Sequence, residues 1–270
     1  MESNPELSLY EIKKFIDEFH HDYESWSQSY PPWFRGQPVD KPLTPRLYRE
    51  DYASHTENDL VQRFRMRSPA FGKTPQYDRI DEWLFLMQHS RLPTRLLDWT
   101  DGALIALFFA VYEMNEVKNP KEICPVVWML NPIILNKNIN SINKEYLPLS
   151  WIGHDFSQPC MPACPLNIKG AFENDEVGLI FPVALMPQHV HKRVNAQRSC
   201  FTVHGKMKES IDVLYKNDTL VKDGYLKKYT ISIGSEDREN MLRELQLFGI
   251  SYSTLFPDLD GLSEDLLLSI

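Results

Sequence analysis

Apolar residues recur at helical spacing from the start of the chain. Ile12, Phe15, Ile16, Phe19, Tyr23 and Trp26 fall on one side of an amphipathic opening helix. Ser8 and Glu11 have the spacing of a capping box, with Leu7 and Ile12 placed as its hydrophobic staple. Tyr30-Pro31-Pro32 ends that pattern, and Trp33 to Gly36 reads as a short strand. Lys41 to Tyr48, with two prolines, reads as an ordered loop. Asn58 to Arg67 and Asp78 to His89 read as helices. Pro93 then breaks the pattern, and Thr100 is placed to cap a helix from Asp101 to about Glu116, apolar on nearly every side.

After Pro120 the period changes. Val126 to Leu130, Leu179 to Phe181, Cys200 to Val203 and Lys228 to Ile233 are short β-rich runs between turn residues. Ser235 to Phe248 is a last amphipathic helix, with Gly249 as its C-cap. Pro148 to Pro165 reads as the long loop. The sum is one α+β domain over residues 1–270, with an N-terminal helix (1–30), a mainly helical part (31–117) and a β-rich part carrying the C-terminal helix (118–270).

Composition adds bounds. Of 270 residues, 43% are hydrophobic and 24% charged, enough to fill a core. A net charge of −8 argues against binding nucleic acid or anionic membrane over the whole surface, though not against a local basic cleft. Met1 to Glu11 lacks the basic and apolar regions of a secretion signal. The longest apolar stretch, Ala103 to Tyr112, falls short of the roughly 20 residues that cross a bilayer. A cytoplasmic protein with reduced cysteines is expected. Cys160 and Cys164 with His189 and His191 do not make a usual zinc pattern, so no metal is expected.

Several blocks resemble the FRG domain family, named for its Phe/Tyr-Arg-Gly signature. They are Trp33-Phe34-Arg35-Gly36-Gln37, then Gln88-His89-Ser90-Arg91-Leu92-Pro93-Thr94-Arg95-Leu96-Leu97-Asp98-Trp99-Thr100 with Ala106 to Ala110. Arg193 to Gln197 leading to Phe201, and Gly249-Ile250 with Leu255 to Gly261, extend the likeness along the chain. Where the family commonly has an aromatic residue and a glycine after Gln-His, this chain has Ser90-Arg91. The resemblance implies a protein of bacteria or their phages, often in settings of conflict between the two.

Within these blocks Arg35 could clamp a phosphate or carboxylate, or pair with Asp98. Gly36 could let a ligand approach the backbone, beside Phe34 and Gln37. His89, next to Gln88, could act as acid or base, or serve as a structural donor. Thr94 could bond a ligand, Arg95 could add a cation, and Asp98 could orient both arginines. Gln197 could bond a ribose or a base edge.

More distantly, the order Arg35, then Thr94 or Ser90, then Gln197 resembles the ADP-ribosyltransferases. Those proteins have an early-strand arginine, a hydroxyl on a second strand and a late-strand glutamate or glutamine. The likeness implies NAD as a substrate, with a protein, RNA or DNA target and a regulatory or phage partner. The second block itself reads as helix–loop–helix, where that arrangement has a strand. The alternatives are a metal-free nuclease using Arg35, His89, Arg95 and Asp98, and a module that binds a nucleotide or phage component without turnover.

Overall fold

The opening helix, α1, spans Pro5–Ser25 in the computed structural model, which describes residues 5–26, 31–52, 56–77, 79–136, 181–187, 192–205, 207–216 and 224–268. Ile12 and Phe15 are buried, as the helical spacing requires. The helix starts upstream of Ser8, so Ser8 sits inside it and caps nothing. Glu11 does not reach back along the helix either. It accepts from the backbone N–H of Ser232 at 2.8 Å, tying α1 to the far end of the chain.

Six strands form one antiparallel sheet in the order β4-β5-β2-β1-β3-β6. They are β1 (Trp33–Gln37), β2 (Leu96–Thr100), β3 (Val126–Leu130), β4 (Val183–Leu185), β5 (Ser199–Val203) and β6 (Leu226–Thr230). The α+β class is as the sequence suggests. β1 and β2 come from the first, mainly helical part and lie at the centre of the sheet.

β2 is the strand the sequence pattern does not reveal. Leu-Leu-Asp-Trp-Thr has no clean alternation: Leu96, Leu97, Trp99 and Thr100 are buried and only Asp98 is exposed. Pairing with β5 along its whole length, from Leu96↔Val203 to Thr100↔Ser199, makes it a strand. Residues 179 and 180 of the expected Leu179–Phe181 strand lie outside the described residues, and the strand found there is β4. The expected loop over 148–165 and the Cys160, Cys164, His189 and His191 group also lie outside them.

The helices are α2 (Glu57–Arg67), α3 (Ile80–His89), α4 (Ala103–Tyr112), α5 (Lys192–Ala196), α6 (Ile211–Lys216), α7 (Arg238–Leu247), α8 (Tyr252–Leu255) and α9 (Leu259–Leu268). No helix among the described residues is long and apolar enough to cross a membrane.

Side chains alternate across β1 and β3. Trp33, Trp128 and Leu130 join a core with Leu84 and Met87 of α3 and with β2, β4 and β5. Phe34, Val127 and Met129 face the other way, into a core with α1, α4 and α7. Helix α4 lies so close to β1 that a Cβ on Gly36 would stand 1.8 Å from the Ala106 carbonyl oxygen and 2.7 Å from the Ala110 nitrogen.

Candidate functional site

The sheet is nearly two half-sheets. β1 pairs β3 from Trp33↔Leu130 to Gln37↔Val126, but meets β2 only at Phe34↔Thr100. Had that ladder continued, Gly36 would face Asp98. Instead the Arg35 guanidinium enters the gap, and its Nη1 donates to the Asp98 carbonyl oxygen at 2.7 Å. The same nitrogen lies 3.9 Å from the Asp98 carboxylate, with the arginine side chain 17% exposed and the aspartate 55%. The buried Nε of Arg35 has no hydrogen-bond partner.

A polar chain leads away from Asp98. Gln88 Nε2 donates to Asp98 Oδ2 at 2.7 Å, and the Thr94 hydroxyl donates to Gln88 Oε1 at 2.5 Å. The Thr94 oxygen accepts in turn from the N–H of Leu96 at 3.1 Å. The structure therefore brings Arg35, Gln88, Thr94 and Asp98 together. Thr94 is fully buried, bonded to Gln88 and to the β2 backbone.

Other expected site residues are engaged elsewhere. Phe34 is core, packed near Phe15 and Phe19 with ring centroids 6.5 Å and 5.3 Å away. Gln37 is buried and accepts from Trp128 Nε1 at 3.2 Å. The backbone that approaches Gly36 is that of α4, which places the glycine in packing. Arg95 pairs with the buried Glu57, not with Asp98: its Nε lies 2.5 Å from Glu57 Oε2, and its N–H donates to Oε1 at 3.0 Å. His89 ends α3, turned ~100° from Gln88 by the helical repeat.

Gln197 sits between α5 and β5. Its amide Nε2 donates to the Leu255 carbonyl at 3.3 Å, and its own carbonyl accepts from the Thr100 hydroxyl at 2.7 Å. Thr100 does not cap α4 in the expected way. The N-cap residue is Gly102, whose N–H donates to the Thr100 hydroxyl at 3.1 Å.

Four residues outside the sequence-based selection belong with this group. Arg49 lies within the field of Arg35, Arg46, Asp98 and Glu113; burial first, then Arg35 and Arg46, hold its guanidinium below the ordinary value. Arg46 donates to the Arg91 carbonyl at 2.9 Å. Arg193 stacks over Phe256, 4.2 Å from the ring centroid. Burial and Arg91 depress it, while Asp258 and Asp98 oppose them. Glu113, the C-cap residue of α4, is pushed up to about 7 by burial, against the pull of Arg35 and Arg49. Two arginines three positions apart in the loop after the signature were the sequence trace of Arg46 and Arg49. Glu113 left only its position at the end of an apolar helix.

Arg46, Arg49, Arg91 and Arg193 have no carboxylate within ion-pair distance among the described residues. Arg35 contacts Asp98, and Arg49 and Arg193 lie within its field. Such a site is suited to anions that offer several oxygens, phosphates above all. No group of His, Cys, Asp and Glu among the described residues has the geometry of a metal site.

Comparison with known proteins gives one family. The FRG domain model matches residues 31–119, a stretch that runs from β1 past α4 and includes Arg35, Arg46, Arg49, Gln88, Arg91, Asp98 and Glu113. No curated protein and no solved structure matches the chain. The signature strand, the Gln88–Thr100 block and the helix packed on Gly36 all fall inside that stretch, which is the part of the chain that the FRG domain family covers.

Proposed function

We propose that the cleft binds a nucleotide through its phosphates, and that the protein is an NAD- or nucleotide-directed transferase arranged like the ADP-ribosyltransferases. The observation that carries this reading is the arginine cluster about Asp98, most of it without carboxylate partners among the described residues. Gathering like charges in a half-buried cleft is costly unless an anion offsets them. Neighbouring strands add support. Arg35 lies on β1, Asp98 on the adjoining β2, and Gln197 just before β5, which pairs with β2.

In this reading the arginines hold the phosphates. Positive charge develops at the ribose anomeric carbon as its bond to the leaving base breaks, and the Asp98 carboxylate and the Gln197 amide oxygen stabilise it. Thr94 serves by fixing Gln88, and Ser90, which is exposed, is the hydroxyl left to meet a ribose. The setting of phage–host conflict, the protein or nucleic-acid acceptor and any regulatory partner rest on family resemblance alone.

Binding without turnover is the second reading. It is favoured by the commitment of Thr94 and of the Gln197 amide nitrogen to protein groups.

Nicotinamide release from NAD by the purified protein, alone and with cell extract, is the test. Release that is lost in Arg35→Ala supports the transferase. Intact NAD in both conditions, with ADP still bound, leaves the binding module. Protein that binds no nucleotide ends both readings.

A further inference from the structure

We infer that Thr94 and Gln88 are positioning residues, which hold the Asp98 carboxylate so that its second oxygen accepts from the hydroxyls of a ribose in the ligand. The inference rests on the nucleotide reading above and deepens it, by naming the part of the ligand that Asp98 takes.

The hydrogen bonds that join β2 to α3 and return to β2 run in one direction. The N–H of Leu96 donates to the Thr94 hydroxyl oxygen at 3.1 Å, and that hydroxyl gives its one proton to Gln88 Oε1 at 2.5 Å. With its oxygen engaged there, the Gln88 amide presents nitrogen to Asp98, and Nε2 donates to Oδ2 at 2.7 Å. A backbone donor thus sets the polarity of the whole chain, and the chain ends on an acceptor. Thr94 is fully buried, so water does not compete for its proton. Asp98, at the other end, is the single exposed residue of β2.

The second oxygen, Asp98 Oδ1, is left over. Among the described residues it takes no hydrogen bond, and the side chain is 55% exposed. The Arg35 guanidinium lies 3.9 Å from the same carboxylate and donates to the Asp98 carbonyl. A second cation on Asp98 would be repelled by Arg35, whereas a neutral hydroxyl adds a hydrogen bond without that repulsion. A nucleotide offers both parts at once, phosphate for the arginine and ribose hydroxyls for the carboxylate.

The test compares binding of ADP and ADP-ribose to the purified protein. ADP-ribose carries, beyond the diphosphate, a ribose that ADP lacks. The wild type is expected to bind ADP-ribose about tenfold more tightly, as one hydrogen bond to a charged acceptor provides. In Asp98→Asn the Gln88 donor holds the amide oxygen and leaves an NH2 where Oδ1 stood, so the preference is expected to vanish while ADP still binds. Thr94→Val keeps the buried shape but frees the Gln88 amide to turn over, and the preference should fall below about threefold. Thr94→Ser, which retains the hydroxyl, should restore it. A merely structural threonine would change stability and leave the ratio of the two affinities alone, so a full preference in Thr94→Val overturns the positioning role. A wild type that binds both ligands equally, or a preference that survives Asp98→Asn, overturns the assignment of the ribose to Asp98 while the nucleotide reading stands. A wild type that binds neither overturns that reading and the inference together.

Discussion

Arg35 donates to the Asp98 carbonyl at 2.7 Å, in the gap where β1 and β2 stop pairing. The signature arginine therefore supports the β2 backbone and, in the proposed function, also supplies a cation to the nucleotide. Arg35→Ala leaves that carbonyl without its donor and removes the central cation. It is expected to cost about 1–3 kcal/mol of stability and to weaken nucleotide binding. Arg35→Lys keeps the charge but loses the planar fork. Denaturant titration and nucleotide binding on both variants separate the two roles. Lysine binding as tightly as arginine means that fork geometry is not used.

Gly36 separates packing from ligand contact. Its missing Cβ is what lets the α4 backbone lie against β1, and the Ala106 oxygen cannot swing away as a side chain would. Gly36→Ala is expected to destabilise the fold by at least about 1–3 kcal/mol, the usual range for overpacking. Thermal unfolding reads this directly. Unchanged stability with lost nucleotide binding would return the glycine to the ligand.

Glu113 is expected to make stability depend on pH. Its carboxyl sits at about 7 against an ordinary 4.5, so the folded state holds the proton more tightly than the unfolded one. This contribution is fully present below pH 4.5 and is lost as pH rises to about 7. The shift corresponds to a loss on the order of 3 kcal/mol. The charged groups in its field are Arg35 and Arg49, which favour the ionised form, and Glu116 and Asp98, which oppose it. Glu113→Gln should remove this slope. Wild-type and variant stabilities that run parallel from pH 5 to pH 8 would contradict it.

Much of the fold could be read from the chain because local pattern decided it. Helices α1, α2, α3 and α7 have apolar faces at helical spacing, and β3, β5 and β6 are runs of β-formers. Strand β2 could not be read this way, since only its pairing with β5 makes five mostly apolar residues a strand. The site was half legible. Arg35, Gln88, Thr94 and Asp98 lie in the two signature blocks and do converge. Arg46, Arg49, Glu113 and Arg193 join them through loop and helix ends whose approach is set by the tertiary fold. Arg95 was drawn away by Glu57, a residue nearly forty positions earlier with no sequence mark of its own.

His204 carries the opposite pH signature, outside the cleft. It follows β5, is fully buried, and lies edge-on to Tyr48 with ring centroids 6.1 Å apart. Burial is the main reason that its pKa falls from 6.5 to about 3, and the nearby Arg95 acts the same way, while a backbone contact with Glu209 opposes them. The folded protein therefore keeps a neutral ring while the unfolded chain takes up a proton below pH 6.5. The stability due to this group is present above that value and is lost as pH falls towards 3. The expected slope is at most about 1.4 kcal/mol per pH unit. His204→Phe keeps a ring against Tyr48 and removes the titration, so its stability should fall less steeply than that of the wild type between pH 6.5 and 4. Chemical denaturation at half-unit pH steps gives the two slopes. An equal or steeper slope in the phenylalanine variant would mean that His204 takes up its proton without unfolding the protein.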